Sequence, residues 1–300
     1  MQSSVRAHAW PASQAVSATI VTAKARPTPA STRAARNALR RLERFRRGAL
    51  YAAWPGGDVY YDDNEWIARV DLDAGELWRR PSAVAAARRI FAGIVRVWDN
   101  EPSHPCSGGI RWTNAAGNSD RNTVTTANGA VIALRLYAAT NRRSYLTWSR
   151  RMLDWLDRCM LAPEGLYWDH VDDSGAVDRT EWSYNQGSVI EANVLLHAAT
   201  QDPNALVRAE QLADATLEAF DARWSNGEPP EFAAVFFRSV LHLAAVDGRK
   251  RYVDAADAYG AWLWARRNPH TGLVTFGGRT RLLDQAAAVQ VYAALARAGR

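Results

Sequence analysis

The chain has 300 residues, of which 48% are hydrophobic and 23% are charged, and this apolar content excludes disorder over most of its length. No run of about 20 apolar residues occurs, which excludes a transmembrane helix. The formal net charge is +6, and the 13 tryptophans indicate either many bulky core residues or a cleft lined by aromatic rings.

The excess of basic residues would suit a nucleic-acid-binding protein, but nearly all of them are arginines spread among alanine-rich segments. The one dense arginine cluster, within residues 36–47, lies on a predicted helix with Leu39, Leu42 and Phe45 on the opposite face. This arrangement is typical of a solvated outer face. We therefore expect no nucleic-acid partner and no membrane association, and we expect a monomer.

Cysteine usage and the N-terminus bear on the location of the protein. Cys106 and Cys159 are too few for a disulfide framework or a metal cluster. Residues 1–9 show no charged segment followed by an apolar run, so no secretory signal is visible and a cytoplasmic location is expected. We expect residues 1–9 to be flexible and residues 1–300 to form one domain, because no linker rich in proline or serine divides them.

Apolar residues spaced three and four apart predict a succession of helices, and convincing strand patterns are missing. The predicted helices cover residues 11–25, 31–45, 61–75, 81–98, 122–140, 143–159, 186–200, 203–220, 229–246, 250–266 and 281–298. The chain is therefore predicted to be all-α.

Every second predicted helix begins with a polar and aromatic cluster, whereas the helices between them are plain amphipathic segments rich in alanine, leucine and arginine. The clusters lie at residues 10–14, 60–66, 125–128, 182–187, 231–238 and 283–285. A helical-hairpin repeat of roughly fifty to sixty residues predicts a closed ring or a solenoid of paired helices. In a closed ring the helices with special openings form the inner layer, and their N-termini form a funnel of polar and aromatic side chains.

The second cluster contains two adjacent carboxylates, Asp62 and Asp63, at the predicted start of a helix. Their repulsion makes the second proton harder to remove than the first, and the helix N-terminus favours an ionised carboxylate beside its backbone amides. One ionised and one protonated carboxyl group is what a glycosidase needs. Taken alone, the pair fits better with a helix cap and a second acid favoured by the helix dipole.

The surroundings of the pair favour the glycosidase. Sugars stack on aromatic rings, and their hydroxyl groups bond to amide and carboxylate side chains. The candidate sugar-binding residues are Tyr61, Trp66, Trp112, Asn128, Asp169, Trp182, Tyr184, Asn185 and Gln186. Any one of them commonly caps or packs a helix, but capping does not explain aromatic and amide residues at several inner openings.

Four motifs stand in order along the chain: Trp-Pro-x-Ser-Gln at 10–14, Tyr-Asp-Asp-x-x-Trp at 61–66, Gly-Gly-Ile-Arg-Trp at 108–112 and Trp-Ser-Tyr-Asn-Gln-Gly at 182–187. Together they resemble glycoside hydrolase family 76, the endo-α-1,6-mannanases, over nearly the whole chain. The resemblance implies an (α/α)6 toroid and retaining hydrolysis of mannan or manno-oligosaccharides, with Asp62 as nucleophile and Asp63 as general acid/base. It also implies that Asp169 contacts the sugar and that residues 184–186 line the cleft.

The chain departs from the family pattern at two helix openings and at its end. Family members often carry Lys-Gly after Phe232, where this chain has Ala233 and Ala234. A lysine that often precedes the Asn-Ala stretch is replaced by the segment 125–128, and a twelfth helix is not visible. These departures bear on substrate specificity and ring closure more than on the reaction type.

Other functions remain as alternatives. A terpene synthase would need an acidic residue where Trp66 stands. A toroidal glucuronyl hydrolase or sugar epimerase would use a single acid or histidines, but His197 and His242 are interpreted as packed core residues. The chain has no His-Glu-x-x-His spacing, so no metal and no cofactor are predicted. The last alternative, a non-catalytic glycan-binding toroid, is disfavoured by the intact acidic pair.

Overall fold

The structure is a computed structural model that describes residues 7–299, and its main elements are eleven α-helices within that range. In chain order these are α1 (Ala9–Ala25), α2 (Pro29–Arg41), α3 (Tyr61–Trp78), α4 (Pro81–Ile94), α5 (Thr123–Thr140), α6 (Arg143–Cys159), α7 (Ser183–Thr200), α8 (Pro203–Ala219), α9 (Pro230–Asp247), α10 (Lys250–Ala265) and α11 (Leu282–Arg297). Each corresponds to one helix predicted from the apolar spacing, so those predictions are confirmed.

The odd-numbered helices form an inner layer in which each helix packs against the next along the chain. Helix α11 packs against α1, so the layer closes into a ring and the structure is a toroid rather than an open solenoid. Each even-numbered helix packs outside the odd-numbered helix that precedes it. The predicted all-α toroid is confirmed, with five outer helices within residues 7–299.

Burial patterns explain which helices lie inside. In α5 every residue from 123 to 134 is buried, because neighbouring helices enclose it on all sides. In α6 the buried residues, which include Met152, Leu153 and Leu156, form one stripe that faces the inner layer. Most of the sequence shows this difference directly, since the inner helices other than α3 carry few charged residues between their apolar positions.

The two ends of the ring are built differently. Helices α3, α5 and α7 end at residues with left-handed backbone, Arg79, Asn141 and Gln201, and each leads through a two-residue link to the next outer helix. The connections that return to the inner layer are much longer, for example residues 95–122 and 160–182. These long loops stand at the N-terminal ends of the inner helices, where they can form the walls of a cleft.

Short strands and 3₁₀ turns account for the differences from the predicted elements. The predicted helices 31–45 and 81–98 each end early, in 3₁₀ turns at Leu42–Phe45 and Val95–Val97. Strands β1 (Arg46–Arg47) and β2 (Leu50–Tyr51) form a hairpin, and β3 (Arg121–Asn122), β4 (His170–Val171) and β5 (Val177–Asp178) form an antiparallel sheet in that order. Two-residue strands are too short to show an alternating pattern, so the sequence did not predict them.

Cys106 and Cys159 form a disulfide that joins the loop before α5 to the last residue of α6. The sequence analysis excluded a disulfide framework but did not predict this single bond. Disulfides persist mainly in oxidising compartments, and the cytoplasmic location expected from the sequence stays a prediction.

The outer surface carries the arginine cluster within residues 36–47, and all of its arginines are exposed, as expected for a solvated face. None of the described helices is both long enough and apolar enough to cross a membrane. The expected flexible N-terminus, residues 1–9, lies largely outside the described residues, and α1 begins at Ala9.

Candidate active site

The openings of the inner helices come together at one end of the ring. Phe232 at the start of α9 contacts Trp10 of α1 and Tyr184 of α7, with ring centroids 6.0 and 4.1 Å apart. Asp62 at the start of α3 lies close enough to Asp169, in the loop before α7, for the two charges to interact. Four of the six polar and aromatic clusters recognised in the sequence, those of α1, α3, α7 and α9, therefore lie at one cleft.

Asp62 is half-buried in the first turn of α3. Its Oδ1 accepts a hydrogen bond from the backbone N–H of Asp63 at 2.9 Å, as the helix N-terminus favours. Burial raises the pKa of Asp62 to about 6, while hydrogen bonds from the Asp63 backbone and the Trp112 side chain limit the rise. The carboxylate of Asp62 is therefore mostly ionised at neutral pH.

Asp63 is more deeply buried, with 8% of its surface exposed. Burial raises the pKa of its carboxyl group well above the ordinary value, and the negative charge of Asp62 raises it further. Interacting adjacent carboxyl groups lose their protons in two steps that belong to the pair. The neighbouring environments thus favour an ionised Asp62 beside a protonated Asp63.

Asp169 faces this pair and is itself held by three side chains. Its Oδ1 accepts hydrogen bonds from the Asn185 amide at 3.0 Å and the Tyr184 hydroxyl at 3.3 Å. Its Oδ2 lies 2.9 Å from Nδ1 of His170, and this contact is the main cause that raises the pKa of His170. Asp169 is thus oriented firmly toward the cleft, and His170 was not recognised in the sequence.

Aromatic rings line the side of the cleft formed by α7 and α9. Phe232 packs edge-on against Trp182 at 5.4 Å and is tilted over Tyr184 at 4.1 Å. The sequence predicts Trp182 and Tyr184 in the cleft, whereas it places Phe232 only within a helix opening. No local pattern could single out Phe232, because its role depends on rings that lie about 50 residues away in the chain.

Trp112 reaches the cleft from the long loop before α5. Its ring packs edge-on against Tyr60 with centroids 5.0 Å apart, and its carbonyl accepts the backbone N–H of Tyr61 at 2.8 Å. The side chain of Trp112 also hydrogen-bonds Asp62. The position of Trp112 agrees with the sequence expectation.

Two aromatic candidates are more enclosed than expected. Tyr61 is 7% exposed and belongs to the main hydrophobic core, so its ring packs rather than presenting a sugar-binding face. Trp66 is 6% exposed and packs with Val124 and Val235. Trp66, Val124 and Val235 fill the centre of the ring below Asp62. Trp66 is therefore part of the base of the cleft.

Two amide candidates serve the scaffold. Asn128 is fully buried, and its Oδ1 accepts a hydrogen bond from Arg69 at 2.6 Å. Gln186 is also fully buried, and its side-chain amide pairs with the backbone N–H and C=O of Tyr167, both at 2.8 Å. The expectation that these two residues contact sugar is not supported by these positions, because neither exposes its amide to the cleft.

A single buried arginine ties the cleft loops together. The Arg121 side chain is fully buried, and its Nη1 lies 2.9 Å from the Asp99 carboxylate. It also donates hydrogen bonds to the backbone carbonyls of Cys106, Pro105 and Asp172 at 3.0, 3.1 and 2.6 Å. One guanidinium therefore joins the loop before α5 to the loop before α7, and the sequence alone did not reveal this role.

Gly109 lies in the turn that leads to Trp112, and its backbone has a φ of +82°. A Cβ atom at this position would lie 2.5 Å from the ring of Trp155. We expect Gly109→Ala to lower the free energy of unfolding by about 2–4 kcal/mol, from backbone strain and overpacking together. Chemical denaturation of the two proteins measures this loss.

Gly117→Ala is the matched control, because Gly117 has the same φ of +82° and a Cβ there meets nothing within 4 Å. We expect this control to lose only about 1 kcal/mol. Equal losses in the two variants would contradict the role assigned to the Trp155 contact.

Two groups of acidic and histidine side chains have the spacing of metal ligands, namely Asp99, His104 and Asp173, and Asp169, His170 and Asp178. In the first group Arg121 and Arg111 already pair with the two carboxylates. In the second, Asp169 is engaged by amide, hydroxyl and imidazole groups. These carboxylates therefore have protein partners already, and no cofactor is needed to explain either group.

The two histidines on inner helices lie away from the acidic pair, toward the C-terminal end of the ring. Nδ1 of His197 is 2.8 Å from the backbone carbonyl of Asp202, and Nδ1 of His242 is 3.0 Å from Glu191. The expectation that both are packed core residues is wrong, because both are partly exposed. Their location gives them no part in chemistry at Asp62.

Comparison with known proteins agrees with this geometry. A family model described as glycosyl hydrolase family 76 matches residues 2–227, which is most of the chain. The chain belongs to glycoside hydrolase family 76. The matched region of this family 76 chain contains the acidic pair, Asp169 and the aromatic residues of α7.

Curated relatives of the family 76 chain match over a shorter stretch. The mannan endo-1,6-alpha-mannosidase DCW1 of Candida glabrata is 33% identical over 132 residues, which cover 40% of this chain and 28% of that protein. The mannan endo-1,6-alpha-mannosidase DFG5 of Saccharomyces cerevisiae is 31% identical over 130 residues, with coverages of 40% and 28%. The chain thus matches less than a third of the length of either relative.

Solved structures match the whole ring. The α-1,6-mannanase of a Salegentibacter species has a TM-score of 0.86 at 20% identity, and the match covers 99% of this family 76 chain and 91% of that protein. Another structure of that mannanase holds α-1,6-mannotriose in an inactive variant whose two adjacent aspartates are replaced by asparagine. At this identity the likeness establishes the toroidal fold.

Proposed function

We propose that this chain is a glycoside hydrolase that cleaves α-1,6-mannosidic linkages by a retaining mechanism. The observation that carries the proposal is the pair at the start of α3. Asp62 is half-buried and accepts the Asp63 backbone N–H, and the more deeply buried Asp63 has a carboxyl pKa raised well above the ordinary value by burial and by the charge of Asp62. Retaining glycosidases need one carboxylate as nucleophile and one carboxylic acid as proton donor. Membership of family 76 and the mannan-cleaving relatives support mannan as the substrate.

The mechanism has two steps. In the first, the Asp62 carboxylate attacks the anomeric carbon while Asp63 gives its proton to the glycosidic oxygen, which leaves as the hydroxyl group of the departing mannan chain. In the second, the Asp63 carboxylate takes a proton from water, and the resulting nucleophile breaks the ester bond between Asp62 and the sugar. Both carboxyl groups then return to their starting protonation states.

The remaining residues of the cleft would bind and orient the mannose units. Trp112, Trp182 and Tyr184 offer aromatic faces, and Asp169 offers a carboxylate. Asn185 is fully buried, so it acts by holding Asp169 and does not itself contact the sugar. Since Asn185 and Tyr184 both donate to Asp169, the carboxylate is already oriented before a sugar arrives, and such preorganisation lowers the entropic cost of binding.

The stereochemistry of the product tests the proposal. Proton NMR during digestion of an α-1,6-linked mannan backbone is expected to show the α-anomer as the first-formed reducing end, because two successive inversions retain configuration. A first-formed β-anomer would overturn the retaining mechanism. Binding of the mannan without any cleavage would favour the alternative of a non-catalytic glycan-binding toroid.

The pH dependence of kcat/KM is expected to rise through an acid limb with an apparent pKa near 6. Activity requires Asp62 to be ionised, and burial raises its pKa to about 6, so the rate rises as pH passes this value. At higher pH the rate falls once Asp63 loses its proton, which gives a bell-shaped profile. Initial rates on mannan across a pH series measure both limbs.

Two substitutions around Asp62 are expected to move the acid limb in opposite directions. The negative charge of Asp169 raises the pKa of Asp62 and the Trp112 hydrogen bond lowers it. Asp169→Asn should therefore shift the limb to lower pH and Trp112→Phe to higher pH. Shifts in the same direction in both variants would contradict the assignment of the limb to Asp62.

A further inference from the structure

The opposite end of the ring contains a second cavity, separate from the acidic pair. Its volume is about 660 Å³, and it is lined by residues from the middle and the C-terminal parts of all six inner helices, with Trp66 at its inner limit. A volume of this order is typical of sites for small organic molecules. The charged side chains of this C-terminal cavity are Lys24, Arg69, Asp73, Glu76, Arg135, Glu191, Arg238, His242 and Arg297.

Positive charge exceeds negative charge in the C-terminal cavity, with five lysine or arginine side chains against three carboxylates. The carboxylates are already paired. Asp73 lies 3.0 Å from both Lys24 and Arg135, Arg135 also pairs with Glu76 at 2.6 Å, and the carboxylate of Glu191 contacts His242. These ion pairs neutralise one side of the cavity and leave the other side cationic.

Arg69 and Arg238 supply this remaining positive charge. Within residues 7–299 their hydrogen-bond partners are neutral: Asn128 for Arg69, and Gln290 and Ser17 for Arg238. Neither forms an ion pair in the described part of the chain. Burial lowers the pKa of both guanidinium groups. The charges of Glu191 and Asp73 raise the pKa of each group, whereas neighbouring cations in the cavity lower it.

Helix ends do not account for these two arginines. The C-terminus of a helix carries partial negative charge that attracts cations within its last turn, and Lys24 and Arg297 occupy such positions. Arg69 and Arg238 instead lie near the middle of α3 and α9. Two partly enclosed cations that form no ion pair of their own are a costly arrangement, and a bound anion would lower this cost.

We propose that the C-terminal cavity is a second binding site, which takes a small phosphorylated molecule of sugar-phosphate size with its phosphate between Arg69 and Arg238. A phosphate monoester carries close to two negative charges at neutral pH and binds guanidinium groups through paired hydrogen bonds. It matches the charge of the two arginines better than a single carboxylate would. The rest of the cavity, with Gln14 and Ser17 in its lining, has room for a sugar and groups that can face its hydroxyls.

Isothermal titration calorimetry with the whole chain tests this site. The probes are inorganic phosphate and mannose 6-phosphate, with mannose as the uncharged control, and the protein carries Asp62→Asn and Asp63→Asn so that turnover does not contribute. We expect saturable binding of one equivalent of each phosphate probe. Because binding and not hydrolysis is measured, the result does not depend on the proposed mannan-cleaving activity.

Variants locate the bound phosphate. Arg238→Gln and Arg69→Gln should each weaken binding about 10- to 100-fold, the loss expected for a charge-assisted pair, and Arg238→Lys should weaken it less. Glu191→Gln should strengthen binding, because it removes a negative charge from the cavity wall. Arg143→Gln, at an exposed arginine on α6, is the matched control and should change nothing.

Two results would overturn the site. One is the absence of saturable binding by both phosphate probes. The other is binding that Arg143→Gln weakens as much as Arg238→Gln does, since this would assign the phosphate to surface charge. Tighter binding in Glu191→Gln also shows that the cavity remains folded and that charge within it controls affinity.

Discussion

Asp63→Asn is expected to lower kcat on α-1,6-mannan by about 10²- to 10⁴-fold, which is the contribution of a general acid or base. Asp62→Ala is expected to cost more, because without a nucleophile no covalent intermediate forms. The physical reason is the proposed division of roles between the two groups, since burial and the charge of Asp62 favour the protonated form of Asp63. Reducing-end release from mannan measures both losses.

Azide separates the two roles. With an aryl α-mannoside that has a good leaving group, Asp63→Ala should still form the covalent intermediate, and azide should then release it as the α-mannosyl azide. Asp62→Ala should give the β-mannosyl azide instead, because azide attacks the sugar directly and inverts it once. If Asp63→Ala gave the β-mannosyl azide and Asp62→Ala the α-mannosyl azide, Asp63 would be the nucleophile and Asp62 the general acid/base.

Binding provides the control for both variants. Asp62→Asn with Asp63→Asn should still bind manno-oligosaccharides, because the aromatic residues and Asp169 remain in place. Loss of both binding and the thermal transition would indicate unfolding, and the kinetic losses would then say nothing about chemistry.

Arg121→Met is expected to lower the free energy of unfolding by about 3–5 kcal/mol, the largest stability effect foreseen for this chain. The substitution leaves the Asp99 carboxylate buried without its main partner and removes the donors for three backbone carbonyls. At about 2–4 °C per kcal/mol for a large domain, Tm should fall by roughly 10 °C. Differential scanning calorimetry measures the shift.

A double substitution shows whether the buried charge is responsible. Arg121→Met combined with Asp99→Asn should recover part of the loss, because the uncompensated carboxylate is gone. Arg96→Met replaces an exposed arginine nearby and should leave Tm almost unchanged. A double variant no more stable than Arg121→Met would place the loss in the carbonyl hydrogen bonds instead.

The helices and their pairing could be read from the sequence because both depend on local spacing. Apolar positions three and four apart mark each helix, and the polar openings mark every second one as an inner helix. The link from α3 to α4 shows where such prediction from local spacing fails. Its backbone is left-handed at Arg79, and no glycine at that position indicates the turn. Phe232, at the start of α9, matters through rings that are distant in sequence, so local patterns could not single it out.

For the cleft, the sequence predicted which residues lie near the acidic pair, but it did not predict which of them are exposed. Asp62, Asp63 and Asp169 meet as the motifs suggested, whereas Asn128 and Gln186 are fully buried and bind other parts of the scaffold. An amide beside a helix start looks the same in the sequence whether it faces the cleft or the backbone. Only the tertiary structure decides between these, because burial depends on which loops cover the helix end.

By itself, the sequence determined an all-α chain of paired helices, the adjacent acids at one helix start and the family motifs around them. The tertiary structure decided that the inner layer closes through α11 and α1, that Arg121 joins the cleft loops, and that Arg69 and Arg238 share a cavity without an anionic partner. Helix formation and amphipathic faces follow from residues a few positions apart. Charge balance, burial and pKa arise from groups brought together across the ring, and these exist only once the chain has folded.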